Sequence, residues 1–299
     1  MNKDNKFKSG FVAILGKPNV GKSTLLNSFL GEKLSIVTPK AQTTRNKVTG
    51  ILTGKNYQIV FLDTPGIFEP SYKLQEHMVN NAMKSASNAD LVLIMVEGFR
   101  QPEDIERSII QKIKDMKKKI ILVINKIDKI PQKDELLPII ETYNIQFGFE
   151  EIVPISALKL NGISHLLNLI IDYLPEGQLL YPEDDISDLP ERFFIAEMIR
   201  EKIVLLTQQE IPYSTTVITE EVKERNDGKI YIRASIYVER DSQKGILIGN
   251  KGSMLKKIGQ YARTEIEKWM EANVYLDLWV GVKEDWREKE SYIREFGYS

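Results

Sequence analysis

The chain has 299 residues, of which 42% are hydrophobic and 28% charged, so it is long enough for two soluble domains with separate cores. Its formal net charge of −1 argues neither for nor against a nucleic-acid partner, and the absence of cysteine excludes disulfides and thiolate metal sites. No run approaches the roughly 18 apolar residues that suggest a membrane span, and we expect a cytoplasmic protein.

The charge is distributed unevenly along the chain. Residues 1–175 carry 23 Lys+Arg against 18 Asp+Glu, a net of +5, and residues 191–299 carry 18 against 19, a net of −1. Between them, EGQLLYPEDDISDLP (176–190) carries five acids and no base, and its apolar residues do not follow the spacing of a helix or a strand. We therefore predict a first domain over 1–175, an acidic linker over 176–190 and a second domain over 191–299.

The first domain alternates short apolar runs with longer amphipathic segments. The runs are FVAIL (11–15), YQIVFL (57–62), ADLVLIMV (89–96), KIILVIN (119–125) and EIVPI (151–155). Buried strands separated by helix-length segments predict an α/β fold, in which helices cover both faces of a mostly parallel sheet. Ligands of such sheets bind at the carboxyl ends of the strands, so the loops there are the candidate site.

The first of these loops, GKPNVGKS, has the phosphate-binding P-loop pattern between a strand and the helix KSTLLNSFL. Its glycines let several backbone N–H groups face one anion, the Lys22 amino group can reach the β- and γ-phosphates, and the Ser23 hydroxyl can ligate Mg²⁺. The predicted nucleotide-binding residues of this loop are Gly16, Lys17, Pro18, Asn19, Val20, Gly21, Lys22, Ser23 and Thr24.

Two later loops also follow predicted strands. In Asp63-Thr64-Pro65-Gly66, the aspartate can hold the Mg²⁺ shell and the Gly66 N–H can meet the γ-phosphate. In Asn125-Lys126-Ile127-Asp128, the Asp128 carboxylate can accept hydrogen bonds from guanine N1–H and N2–H₂, and adenine would leave it unpaired. Lys126 can lie along the base, Asn125 can tie this loop to the P-loop, and Ser156-Ala157-Leu158 can offer N–H groups to guanine O6.

In this order, the motifs resemble a Ras-like GTPase domain of the translation-factor-related class, and in detail the Era family of bacterial ribosome-assembly GTPases. AQTTR (41–45) resembles that family's first switch, in which a threonine closes over Mg²⁺ and the γ-phosphate. We favour Thr44 for this role, and Thr43 is the alternative. The resemblance implies that Lys22, Thr44, Gly66 and Asn19 serve hydrolysis and that Ser23, Thr44 and Asp63 serve the metal.

One expected catalytic residue is missing. Ras-type enzymes place a water-orienting glutamine directly after the glycine of the second loop, where this chain has Ile67. We therefore expect slow intrinsic hydrolysis. GTPases with such a hydrophobic replacement include several in which a P-loop asparagine helps bind K⁺, and the resemblance implies this role for Asn19 and stimulation by K⁺.

The second domain is predicted to run α-β-β-α-β, with the helix 192–209, a hairpin of 214–224 and 229–240 joined by RNDG, a helical region over 242–270 and a final strand. Gly249-Asn250-Lys251-Gly252 lies directly before a predicted helix, and this arrangement resembles a bacterial-type (type II) KH domain. In KH domains the GxxG loop clamps about four single-stranded nucleotides. The predicted RNA-binding residues are Lys244, Ile246, Ile248, Gly249, Asn250, Lys251, Gly252, Lys256 and Lys257.

The large apolar side chains of this domain have two candidate roles. Ile246, Ile248 and Leu255 either line an apolar groove for bases or belong to the core. The tryptophans, Trp269, Trp279 and Trp286, are predicted to be packing residues rather than base-stacking platforms.

The family resemblance extends over nearly the whole chain. It implies a monomeric factor that uses GTP to control binding of the 3′ end of small-subunit (16S) ribosomal RNA during 30S maturation, with peripheral membrane association besides. The sequence itself has no strong basic amphipathic anchor. The alternative to a switch is an RNA-binding module that binds equally in every nucleotide state.

Overall fold

The structure, a computed structural model, describes residues 6–298. By its internal contacts the chain divides into two compact units. The first comprises the residues up to Ser35, Thr44–Ser71 and Glu76–Asp188, and the second comprises Ile36–Thr43, Tyr72–Gln75 and the residues from Leu189 onward. None of the helices in the described part of the chain is long and apolar enough to cross a bilayer.

The first unit is built on a six-stranded sheet with the order β2-β3-β1-β4-β5-β6. Its strands are β1 (Lys8–Gly16), β2 (Val48–Gly54), β3 (Tyr57–Asp63), β4 (Leu91–Glu97), β5 (Lys119–Asn125) and β6 (Glu151–Pro154). Only β2 runs antiparallel to its neighbour. The helices are α1 (Lys22–Leu30), α2 (Lys73–Asn88, which belongs to this unit from Glu76 onward), α3 (Asp104–Asp115), α4 (Leu136–Phe147) and α5 (Ile163–Tyr173).

Apolar side chains on both faces of the central strands are buried. On one face, strand residues such as Leu15 and Ile94 pack with Ile110 of α3 and Tyr143 of α4. On the other, Phe29 of α1 stacks on Phe61 with ring centroids 4.7 Å apart. Each such side chain contributes roughly 1.5–3 kcal/mol by leaving water. The predicted α/β fold with a mostly parallel, doubly covered sheet is confirmed.

The antiparallel strand β2 was not among the predicted strands. Its sequence, VTGILTG, contains two glycines and no alternation, both of which weaken a strand pattern. The structure gives a packing reason for one of them, because a Cβ at Gly50 would lie 2.6 Å from Leu26 Cδ1 of α1. Glycine therefore lets α1 pack closely on this edge of the sheet.

Much of the predicted acidic linker lies along the first unit. The Ile51 N–H of β2 donates to the Ile186 carbonyl at 2.9 Å, and the backbone N–H groups of Leu180 and Tyr181 donate to Gln58 Oε1. Gln58 is fully buried, so these bonds satisfy an amide that would otherwise be costly to bury. The domain boundaries at 175/176 and 190/191 stay a prediction.

The second unit contains a three-stranded sheet with the order β7-β8-β9. Its elements are α6 (Glu191–Leu206), α7 (Ile211–Ser214), β7 (Thr216–Glu224), β8 (Ile230–Val238), α8 (Asp241–Ile248), α9 (Ser253–Met270), β9 (Val274–Val282) and α10 (Glu290–Glu295). β7 and β8 are antiparallel, and β8 and β9 are parallel. α6 and α9 pack on each other and on the sheet, which matches the predicted KH architecture.

The end of the chain closes the core of this unit. Trp286 is fully buried, and its indole N–H donates to the Ser214 carbonyl at 2.8 Å. Tyr298 stacks beside it and shares a 2.8 Å hydrogen bond with Thr216. The packing role predicted for tryptophan therefore holds for Trp286.

The short segment Ile36–Thr43 groups with the second unit through specific hydrogen bonds. The Lys40 amino group donates to the carbonyls of Val204 and Thr207, where α6 ends. The buried guanidinium of Arg200 donates to the Thr43 carbonyl. A cation at a helix C-terminus satisfies carbonyls that have no partner within the helix.

Candidate nucleotide site and nucleic-acid interface

The P-loop leaves β1 at Gly16 and enters α1 at Lys22, as its pattern predicts. Gly21 has a φ of 104°, and a Cβ there would lie 2.3 Å from Asn125 Nδ2. At Gly16 a Cβ would lie 2.4 Å from the Met95 carbonyl oxygen. Both glycines are therefore required by the close approach of neighbouring strand ends, and the loop between them is free to wrap around an anion.

The Lys22 side chain is buried and folds back over this loop. Its amino group donates to the carbonyls of Lys17 at 2.9 Å and Gly16 at 3.2 Å. Burial lowers the pKa of Lys22 to about 8, although the nearby Asp63 carboxylate acts in the opposite direction. A phosphate group would supply the negative charge that this buried ammonium needs.

Three oxygen-bearing side chains converge beside Lys22. Ser23 Oγ donates to Asp63 Oδ2 at 2.7 Å and lies 2.9 Å from Thr44 Oγ1. Asp63 is fully buried, and within the described residues its Oδ1 has no hydrogen-bond partner. Desolvation raises the pKa of this carboxyl above its usual value. A buried carboxylate oxygen beside two hydroxyls fits Mg²⁺, which takes oxygen ligands.

The alternative threonine is engaged elsewhere. Thr43 Oγ1 donates to the Lys40 carbonyl at 2.8 Å and lies 2.7 Å from Thr38 Oγ1. Both partners belong to the Ile36–Thr43 segment. The geometry of the described residues therefore favours Thr44 over Thr43 as the switch threonine.

The loop after β3 approaches the P-loop closely. The Ile67 N–H donates to the Gly16 carbonyl at 3.0 Å, and a Cβ at Gly66 would lie 2.6 Å from the Pro18 nitrogen. Thr64 Oγ1 donates to the Ile14 carbonyl at 2.8 Å, which fixes this loop to β1. Ile67 is buried, so the position where Ras-type enzymes carry glutamine holds a packed apolar side chain.

Asn125 connects three loops. Its side-chain amide donates to the Val20 carbonyl of the P-loop at 2.8 Å and accepts from the Ala157 N–H at 3.0 Å. The tie between this loop and the P-loop, expected from sequence, is present. A side chain that uses both its donor and its acceptor in this way holds the base-binding loops in register with the phosphate loop.

Asp128, the predicted guanine-binding carboxylate, accepts a hydrogen bond from the Ser156 hydroxyl. Beside it, the Lys126 amino group donates to the Asn19 carbonyl at 2.6 Å, so this side chain bridges the loop after β5 to the P-loop. Ser156 and Ala157 are buried, whereas Leu158 is 71% exposed. All four predicted nucleotide loops thus meet at the carboxyl ends of β1, β3, β5 and β6.

Two carboxylates that pair with lysines of these loops were not predicted from the sequence. Glu97, the last residue of β4, forms an ion pair with Lys126. Glu103 pairs with Lys17 of the P-loop at 2.5 Å, and this hydrogen bond holds the pKa of Glu103 below its usual value. The strand-end position of Glu97 was a usable signal, whereas the Glu103 pairing depends on the fold.

In the second unit the GxxG segment joins α8 to α9 through a turn of 3₁₀ helix, Asn250–Gly252. Gly249 has a φ of 71°, and a Cβ there would lie 2.8 Å from the Met254 nitrogen. Gly252 has a φ of 79° and open space around it. The backbone between these glycines is therefore accessible to a phosphate, as the GxxG clamp requires.

The side chains predicted to flank this clamp are mostly accessible. Asn250, Lys251, Lys256 and Lys257 are exposed, and Lys244 is half-buried. Ile246 is 48% exposed, and Ile248 and Leu255 are half-buried. Leu247 and Ile258 fill the core instead. The exposure of Ile246 fits the apolar-groove interpretation, whereas the half-burial of Ile248 and Leu255 fits either interpretation.

Two family models match parts of this chain. Residues 11–126 match the family model described as a 50S ribosome-binding GTPase, and residues 210–287 match the model of the KH domain. The fold and its loops thus define a P-loop GTPase that carries a KH domain.

Two solved structures resemble nearly the whole chain. One is a point variant of Era from Aquifex aeolicus bound to GDP and AlF₄⁻, with 46% identity, a TM-score of 0.95, and coverage of 98% of this chain and 100% of that one. The other is Era in complex with MgGDPNP and nucleotides 1506–1542 of 16S ribosomal RNA. It is 47% identical with a TM-score of 0.95, and the match covers 98% of this chain and 99% of that one. The chain belongs to the Era family.

Proposed function

We propose that this protein hydrolyses GTP and uses the nucleotide state to control binding of the 3′ end of small-subunit ribosomal RNA through its KH domain, in assembly of the 30S subunit. The observation that carries the proposal is the presence of both sites in one chain. Four nucleotide loops meet at one sheet edge, and an open GxxG loop is flanked by lysines. The similarity to the relative that holds MgGDPNP and 16S rRNA extends over 99% of that relative's chain.

In this proposal Asp128 accepts from guanine N1–H and N2–H₂, and the Leu158 N–H faces O6. The expected N–H groups of Ser156 and Ala157 instead donate to the Asn161 carbonyl and to Asn125 Oδ1. Support comes from the geometry, because Asn125 links these loops and Lys126 bridges its own loop to the P-loop. Adenine would present an acceptor to a carboxylate acceptor, and that mismatch gives the selectivity.

For hydrolysis, Lys22 and the backbone of the P-loop neutralise charge that develops between the β- and γ-phosphates, and the Gly66 N–H contacts the γ-phosphate. Ser23, Thr44 and Asp63 would hold Mg²⁺, an ion that supplies positive charge to the phosphate oxygens when bound. The orphaned Asp63 Oδ1 and the two adjacent hydroxyls support this donor set.

We further propose that hydrolysis is slow without assistance and is stimulated by K⁺ through Asn19. The buried Ile67 leaves no side-chain base directly after Gly66. Asn19 lies in the P-loop with a left-handed φ of 64°, a conformation that asparagine tolerates better than most residues. Turnover should be higher in KCl than in NaCl at equal ionic strength, and Asn19→Ala should remove the difference.

The proposal also covers setting and state. We expect the protein to be cytoplasmic. We also expect it to be a monomer, and light scattering can test that oligomeric state. Flotation with anionic vesicles tests the peripheral membrane association that the family implies, and a protein that stays unbound would remove that part of the proposal.

The function as a whole is tested by pairing two activities on the full chain. GTP turnover and binding of a single-stranded RNA with the 3′-end sequence should both be present in the wild type. A scrambled RNA of the same length, at the same salt concentration, serves as the control, because phosphate contacts alone are sequence-independent. No preference for the 3′-end sequence would overturn the proposed RNA target, and no GTP turnover would overturn the enzyme.

A further inference from the structure

Trp279, near the end of β9, is unlike the other tryptophans. It is 54% exposed, whereas Trp286 is fully buried and Trp269 is 37% exposed and packs near Phe194. Its predicted packing role therefore does not account for it. An exposed indole offers a large rigid apolar face to a ligand, and its surroundings decide whether that face can be used.

The indole of Trp279 lies on a built support. A Cβ at Gly281 would lie 2.3 Å from Trp279 Cζ3 and 2.4 Å from Cη2, so the ring occupies the space that the glycine leaves empty. Tyr237 of β8 meets it edge to face, with centroids 5.9 Å apart. These two contacts fix the position of the ring and leave more than half of the residue accessible.

A cation stands beside this ring. Lys244 Nζ lies 5.9 Å from the Trp279 centroid, within the range of cation–π attraction. Lys283 lies 5.8 Å from the neighbouring Tyr237 ring but is also 3.6 Å from Glu295. Lys244 is therefore the cation best placed to meet a phosphate next to the indole.

Lys244 links the indole to the helix that carries the GxxG clamp. It lies on α8, which ends directly before Gly249, about 7.5 Å from that glycine along the helix axis and at a different position around that axis. Ile246, exposed and apolar, lies between them in sequence. Residues 242–261, which include Lys244 and the clamp, contain four lysines and no acid, a composition that suits a polyanion.

We propose that Trp279 is a base-stacking platform for a nucleotide of single-stranded RNA beyond those held by the GxxG loop, and that Lys244 receives a phosphate of that nucleotide. The inference rests on the proposed function, because it extends the RNA path of the KH domain. An aromatic face with an adjacent cation is the combination that binds unpaired bases without strong sequence preference.

The test is RNA affinity of the full chain with a single-stranded 3′-end oligonucleotide at one salt concentration. Trp279→Ala should weaken binding by roughly tenfold, the usual scale when one stacked base loses its aromatic partner, and Trp279→Phe should retain most of the affinity. Tyr275→Ala is the matched control. This tyrosine is 52% exposed on the same face of the same strand, about 13 Å away. Its ring is already covered by Tyr231, which stacks on it at 5.9 Å, and by the Arg225 guanidinium at 4.7 Å, so its removal should leave affinity unchanged.

The support itself can be tested without touching the indole. Gly281→Ala places a methyl group where the ring lies and should displace it, so RNA affinity should fall as in Trp279→Ala. A second readout is fluorescence. In Trp269→Phe the remaining tryptophans are the buried Trp286 and the exposed Trp279, and RNA should quench the signal unless Trp279 is also replaced by Phe.

The outcomes separate the two proposals. If the wild type binds RNA and Lys251→Asp weakens it, but Trp279→Ala binds as tightly as the wild type and no quenching occurs, the platform is wrong and the KH function stands. If the wild type binds no single-stranded RNA, both are overturned.

Discussion

The nucleotide site and the RNA surface are built in opposite ways. The nucleotide site is assembled from four loops that are locked together by buried contacts, such as those of Asn125 and the close approach of Gly66 to Pro18. The RNA surface lies mainly on α8, the GxxG loop and α9, whose lysines are largely exposed. A site with this many internal constraints leaves few choices of residue, whereas an exposed surface tolerates many.

The contrast predicts that single changes should have the greatest effect in the locked site. Lys22→Ala removes the buried ammonium that we propose binds the β- and γ-phosphates. We expect GTP affinity to fall by about a hundredfold or more, the effect of losing one or two charge-assisted hydrogen bonds. Titration with a fluorescent GTP analogue measures this. Lys8→Ala, a lysine of the same unit at the start of β1, is the control. Near-normal affinity in Lys22→Ala would break the contrast.

Base selectivity gives the next largest expected effect. Asp128→Asn replaces an acceptor with an amide, so the affinity for GTP should fall by roughly a thousandfold, as expected when a site loses the partner of a hydrogen-bonded substrate. Xanthosine triphosphate carries an oxygen in place of the guanine amine, and the new amide can donate to it. Competition between the two nucleotides measures the exchange. An unchanged preference for GTP would mean that Asp128 does not face the base.

On the RNA side, one charge reversal should have a smaller effect. Lys251→Asp places a carboxylate in the GxxG loop, and we expect RNA affinity to fall roughly tenfold to a hundredfold. The slope of log affinity against log salt should also fall by about 1 for each phosphate that the variant no longer binds. Lys289→Asp, on the same unit but outside the basic segment, controls for net charge. Equal losses of affinity in both variants would indicate a diffuse electrostatic effect rather than a clamp.

The smallest expected effects are changes in the free energy of unfolding, and they differ in sign between Gly249 of the GxxG loop and Gly245 of α8. Gly249→Ala forces a side chain into a left-handed position against Met254 and should lower the free energy of unfolding by about 1–2 kcal/mol. Gly245→Ala adds a methyl group to a helix interior with open space around it and should raise stability by about 0.5–1 kcal/mol. All three tryptophans lie in the second unit, so urea unfolding followed by their fluorescence measures it. Equal effects would remove the backbone argument for Gly249.

The elements that carry the loops of the locked site were predictable from sequence, because each loop follows a buried strand and carries residues that few other structures require. The helix KSTLLNSFL and the strand KIILVIN were placed within their observed bounds. β2 was missed because its Gly50 is explained only by the packing of α1, which no local pattern records. Glu103 was missed for a similar reason, since its partner Lys17 is distant in sequence.

The RNA surface shows the complementary limit. The GxxG loop and its lysines form a local pattern, so the sequence was sufficient to propose them. Trp279 lies 27 residues after Gly252, on a different element, and its relation to Lys244 exists only in the folded unit. Whether a tryptophan is buried, like Trp286, or exposed, like Trp279, depends on what packs over it.

The central claim, that the nucleotide controls RNA binding, is tested most directly by one comparison. The affinity of the full chain for the single-stranded 3′-end RNA is measured with GDP and with a non-hydrolysable GTP analogue, at one fixed salt concentration. The account predicts tighter binding with the GTP analogue, by about tenfold or 1.4 kcal/mol of coupling free energy. Equal affinity in both states would contradict the switch and leave two functional sites that do not communicate.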